Sequence, residues 1–129
     1  MIYVDTSVAL AHLLAEDRRP PESLWREELV SSRLLEYQLW NRLHAAGLAG
    51  SHGDAARLLL ARVAFLELDR TVLERALQGF PTPVRTLDAL HLASAGFLRE
   101  RGHEAPVATY DERLAEGARG IGLSLFDGL

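Results

Sequence analysis

The sequence predicts an α/β sandwich, a mostly parallel sheet with helices packed on both of its faces. Short runs rich in β-branched and aromatic residues alternate about five times with amphipathic helical segments. The strand-like runs are apolar throughout, as strands covered on both faces are. The chain has 129 residues, enough for one core of this kind and too few for two, so residues 1–129 are read as a single domain.

The elements follow in order. Ile2-Tyr3-Val4 forms the first strand and stops at Asp5-Thr6-Ser7, a trio suited to capping a helix. Val8, Leu10, Ala11, Leu13 and Leu14 continue that helix until Asp17-Arg18-Arg19-Pro20-Pro21 breaks it. A short helix over Glu22–Arg26 suits the prolines before it. Residues 28–32 read as a second buried strand. A helix then runs from Arg33, with Leu34, Leu35, Leu39, Leu43 and Ala46 at helical spacing, to the glycines at 47 and 50. Ser51 caps a further helix to Arg62. Residues 63–68 make strand three, 70–78 a helix, and 79–83 a loop. A long helix over 86–101 precedes strand four at 105–109. Residues 111–118 are helical, and 123–126 form a last strand.

Composition narrows the chemistry. With no cysteine, disulfides, thiolate metal sites and cysteine nucleophiles are excluded. All 14 basic residues are arginine, so lysine-dependent Schiff-base and phosphate-loop chemistries are excluded too. The net charge of −4 opposes non-specific nucleic-acid binding, although an arginine patch or a bound cation reverses the sign locally. No apolar run reaches the roughly 18–20 residues that span a bilayer. The opening residues carry no basic leader and place an acid where a signal peptide is apolar, so a cytoplasmic protein is expected.

In an open parallel sheet, ligands bind beyond the carboxyl ends of the strands. Asp5 directly follows strand one, and Asp111 follows strand four by two residues. Each reads equally as a helix N-cap or as a site acid. Glu36 falls near the start of the helix after strand two, where a solvated acid is also favoured. Asp88 stands in Leu87-Asp88-Ala89-Leu90-His91-Leu92-Ala93, an apolar turn that makes an unpaired carboxylate costly. His91, on the same face, reads as a buried structural histidine in preference to a metal ligand. Clustered carboxylates repel unless a cation joins them, and an all-oxygen set suits Mg²⁺ or Mn²⁺. Such ions serve phosphate chemistry, and the residues by themselves lead no further.

Tyr3-Val4-Asp5-Thr6-Ser7, Ser31-Ser32-Arg33-Leu34-Leu35-Glu36, Arg85-Thr86-Leu87-Asp88-Ala89-Leu90-His91-Leu92-Ala93 and Thr109-Tyr110-Asp111-Glu112-Arg113-Leu114 occur in this order. Together they resemble PIN-domain ribonucleases, specifically the VapC-type toxins of bacterial toxin–antitoxin pairs, over nearly the whole chain. The resemblance implies a PIN-like three-layer sandwich with a five-stranded sheet in the order 3-2-1-4-5. It also implies Mg²⁺- or Mn²⁺-dependent hydrolysis of RNA, with water attacking the phosphodiester to leave a 5′-phosphate. By motif, Asp5, Glu36, Asp88 and Asp111 become the four metal-binding catalytic acids, with Ser7 or Thr109 as the supporting hydroxyl. Arg42, Arg85 and Arg113 are candidate RNA phosphate contacts or solvated surface charges. A VapB-type antitoxin lying over the groove and a homodimer are the implied partners, with Trp25, Trp40 and Phe97 as candidate docking or core aromatics. A Mg²⁺-dependent phosphatase or DNA nuclease on a similar sheet, and a non-catalytic PIN-like binding module, are the competing readings. A dehalogenase-type phosphatase would need an aspartate where Ser7 stands.

Overall fold

The computed structural model describes residues 1–129. The strands are β1 (Ile2–Val4), β2 (Leu29–Ser32), β3 (Val63–Leu66) and β4 (Val107–Ala108). The helices are α1 (Thr6–Leu13), α2 (Leu34–Ala45), α3 (Ala49–Leu60), α4 (Arg70–Leu77), α5 (Thr86–Glu100) and α6 (Glu112–Gly120), with a 3₁₀ turn at Glu22–Arg26. All pairings are parallel, in the order β3-β2-β1-β4, with Tyr3 opposite both Val30 and Val107.

The expected fifth strand is reduced to a single parallel bridge, Val107 to Leu125. The backbone N–H of Val107 donates to Ser124 O and that of Phe126 to Val107 O, both at 2.9 Å. The position is the one expected, beside β4. The glycines at 120 and 122 and the two-residue length of β4 leave no room for a longer ladder.

Alternation along β1 sorts the core into two layers. Ile2 and Val4 face Val8, Leu10, Leu35, Leu39 and Leu59 from α1, α2 and α3. Tyr3 faces the opposite way, with Val30, against Leu92, Ala95, Leu98, Leu114 and Ala118 from α5 and α6. The packing is tight at Gly117, where an added Cβ would lie 2.7 Å from Leu92 Cδ1 and 3.1 Å from Val84 Cγ1.

α3 begins two residues before the expected Ser51 cap. Gly47, at φ +70°, completes the turn out of α2 by itself, so the chain re-enters helix at once with Gly50 inside it. Ser51 Oγ donates instead to Leu48 O at 3.3 Å. Trp25 is buried in the core, while Trp40 is partly buried and packs against the same cluster.

Candidate active site

The carboxyl ends of β1 and β4 open into a cavity of about 540 Å³, lined by residues of α1, α2 and α5 and by Asp111. Asp5, Asp88 and Asp111 all line it. Asp5 follows β1 directly and N-caps α1, its carboxylate accepting from Val8 N at 3.3 Å. Asp111 N-caps α6, accepting from Arg113 N at 2.9 Å and Leu114 N at 3.4 Å. Both residues therefore cap their helices, one of the two roles their sequence positions left open, and both also line the cavity.

Asp5 is only 4% exposed and is clasped by hydroxyls. Ser7 Oγ donates to Oδ1 and Thr109 Oγ1 to Oδ2, each at 2.6 Å. Backbone N–H groups lock the hydroxyls in turn: Tyr110 N donates to Ser7 Oγ and Asp111 N to Thr109 Oγ1, both at 2.9 Å. Burial pushes the Asp5 pKa up to about 6; these hydrogen bonds hold it down, and the charge of Asp111 adds to the rise. Both Ser7 and Thr109, expected as alternatives, serve the same carboxylate.

Asp88 stands in the first turn of α5, whose N-cap Arg85 offers no side-chain capping bond. Its Oδ2 is buried and has no hydrogen-bond partner. Burial and the charge of Asp111 raise its pKa, opposed by Arg85 and Arg113. An orphaned buried carboxylate oxygen is costly without a cation or donor, which is the anomaly expected from the apolar turn around it.

The fourth expected acid is elsewhere. Glu36 does not line the cavity. It pairs with Arg33 at 3.2 Å, and Arg33 also bonds Glu67 at 2.7 Å and stacks 4.5 Å over the Phe65 ring. The cause is helix phase. Residues two apart on a helix lie about 200° apart around its axis, so Glu36 and Gln38 cannot face the same way. The face turned to the cavity carries Tyr37, Gln38, Asn41 and Arg42. Gln38 escaped a search for acids, although its spacing from Asn41 and Arg42 marks a polar helix face beside the apolar stripe.

His91 is buried, with Nδ1 2.7 Å from the Tyr3 hydroxyl and Nε2 2.8 Å from Gln38 Oε1. Burial pulls its pKa down to about 4. It is buried as expected, but its partners are side chains and it also lines the cavity. Arg42 and Arg85 line the cavity mouth, whereas Arg113 lies outside the lining, close enough to act on Asp88 by charge.

The donor set suits a hard divalent cation. Asp88 Oδ2 and Asp111 Oδ2 accept no hydrogen bond from the protein, and Asp5 Oδ2 accepts only one. No three acid or histidine side chains converge to ligand distance, so water or substrate oxygens would complete a coordination shell.

A parallel sheet with a carboxylate cavity at its carboxyl edge places the chain in a definite class. Residues 2–120 match the family model described as the PIN domain, and the chain belongs to that family. Among its relatives, ribonuclease VapC35 of Mycobacterium tuberculosis is 33% identical over 134 residues, covering 97% of this chain and 95% of that protein. Ribonuclease VapC46 of the same species is 34% identical over 132 residues, covering 96% and 95%. The crystal structure of M. tuberculosis VapC20, a Sarcin-Ricin loop cleaving toxin, superposes with a TM-score of 0.71 at 20% identity, over 98% of each chain. A toxin–antitoxin complex from Klebsiella pneumoniae contains a chain matching at 0.70 and 16% identity, over 98% of this chain and 97% of that one.

Proposed function

We propose that this chain is a metal-dependent endoribonuclease, the toxin of a VapBC-type toxin–antitoxin pair. The observation that carries the reading is the unpartnered, buried Oδ2 of Asp88, set in a cavity beside Asp5 and Asp111. The naming of full-length relatives as ribonucleases supports it, as does the likeness to a chain of a toxin–antitoxin complex.

Asp5, Asp88 and Asp111 would hold Mg²⁺ or Mn²⁺. Bound there, the ion would lower the pKa of a water and offset charge on the phosphodiester. The chain's own residues do the rest. Ser7 and Thr109 fix the Asp5 carboxylate so that one lone pair of Oδ2 is left for the cavity. The N-terminus of α5 favours anionic Asp88. Arg42 and Arg85 meet the phosphate backbone at the mouth. Glu36, paired with Arg33, is left outside this set.

The test is cleavage of RNA, flap DNA and a phosphomonoester, each with Mg²⁺ or Mn²⁺, by the wild type and by Asp88→Asn. RNA cleavage at least a hundredfold weaker in Asp88→Asn, with an unchanged circular dichroism spectrum, is the expected result. Equal cleavage by the variant removes the metal-site assignment. Preference for flap DNA or the phosphomonoester removes the ribonuclease. Calorimetry showing no Mn²⁺ binding, together with no turnover, leaves a non-catalytic module. Sequencing the flanking DNA tests the antitoxin partner: a small neighbouring reading frame whose co-expressed product suppresses cleavage is expected, and its absence removes the paired-toxin assignment.

A further inference from the structure

Gln38 ends a hydrogen-bond chain that runs through His91 to the buried Tyr3 phenol. The Ser32 N–H donates to the Tyr3 phenol oxygen at 3.2 Å. Tyr3 is fully buried, and burial raises its pKa above the ordinary phenol range, so it keeps its proton. The phenol oxygen also lies 2.7 Å from His91 Nδ1, and in one of the two neutral tautomers of the ring the phenol proton is directed there. The neutral His91 ring then carries its hydrogen on Nε2 and donates to Gln38 Oε1 at 2.8 Å. The Thr6 hydroxyl donates to the same Oε1 at 2.6 Å. With this tautomer two donors meet one oxygen, which sets the amide orientation. Oε1 faces the protein, and the Nε2 hydrogens, which meet no protein acceptor, are left for whatever occupies the cavity that Gln38 lines.

Resting on the ribonuclease reading, we propose that Gln38 is a substrate-binding residue whose Nε2 donates to a non-bridging phosphate oxygen of RNA. Tyr3 and His91 are positioning residues that prevent the amide from turning its oxygen outward. A neutral donor suits this wall. An outward amide oxygen would meet the phosphate oxygens as acceptor against acceptor.

Three measurements test this. Long-range ¹H–¹⁵N spectra of the wild type at pH 7 should show His91 as the Nε2–H tautomer, and an Nδ1–H tautomer overturns the relay. Binding of a fluorescein-labelled single-stranded RNA, by anisotropy in an Asp88→Asn background, should weaken about tenfold on adding Gln38→Leu and at least as much on adding Gln38→Glu. Mn²⁺ affinity by calorimetry, with Asp88 intact, should be unchanged within about twofold by Gln38→Leu. If Gln38→Leu weakens Mn²⁺ binding tenfold, or Gln38→Glu strengthens it tenfold, Gln38 is a metal ligand and the proposal fails. RNA binding unchanged in Gln38→Leu also overturns it, while wild-type RNA cleavage in the same preparation leaves the ribonuclease reading standing. If the wild type neither binds nor cleaves RNA, both readings fall together.

Discussion

Asp5 is pulled between fold and site. Its pKa of about 6, against an ordinary 3.8, means that the fold favours the protonated acid. Above pH 6 the buried carboxylate therefore destabilises the metal-free protein, by an amount on the order of 3 kcal/mol. That cost fades as the pH falls from about 6 towards 4. Asp88 is shifted in the same direction by the same causes, burial and Asp111. Asp5→Asn mimics the protonated acid, and the Ser7 and Thr109 hydroxyls can rotate to suit the amide. It should raise the urea midpoint at pH 7.5, flatten its dependence between pH 4 and 6, and abolish RNA cleavage. A midpoint that falls instead would contradict the burial argument. If Asp5 holds the cation as proposed, protons and metal would compete for the same oxygens, so Mn²⁺ affinity should decline as pH drops through about 6, with proton release on binding.

The helices show how far the sequence could be read and where it could not. The strand–helix alternation and the caps at Asp5 and Asp111 were legible because each rests on local chemistry, whereas the order of the strands, a long-range property, came only with the family resemblance. The phase of α2 was not legible. Leu34, Leu35, Leu39 and Leu43 define its buried stripe, yet polar residues flank that stripe on both sides, and only the packed neighbours decide which flank meets the cavity. Glu36→Gln should therefore leave RNA cleavage within about twofold of wild type. It should cost less than about 1 kcal/mol, since its pair with Arg33 is exposed on both sides. The spacing between α5 and α6 is stricter. Gly117→Ala would drive a methyl into the buried Leu92 side chain, one residue from His91. It should destabilise the protein by about 1–3 kcal/mol in urea unfolding, and a neutral result would mean that the helices separate freely.

At the scale of the molecule, an acidic protein of net charge −4 must bind a polyanion through a local reversal of sign. On the proposed ribonuclease reading, Arg42 and Arg85, which line the cavity, would supply it. Each change to alanine should weaken RNA binding and lower the slope of log affinity against log salt by about 0.7, the value for one lost contact to a single strand. Affinity titrations from 50 to 200 mM salt, on the order used for such slopes, would check this, and an unaltered slope would return either arginine to the solvated surface. The reduced fifth strand matters for anyone attaching a reporter to this chain. Thr109, which steadies Asp5, leaves a β4 of two residues held on its outer side by the backbone bonds to residues 124 and 126. A fusion partner seated hard against Phe126 would pull on that brace and, through it, on the Asp5 carboxylate. A flexible spacer after Leu129 spares it, and an amino-terminal fusion runs straight into the central strand.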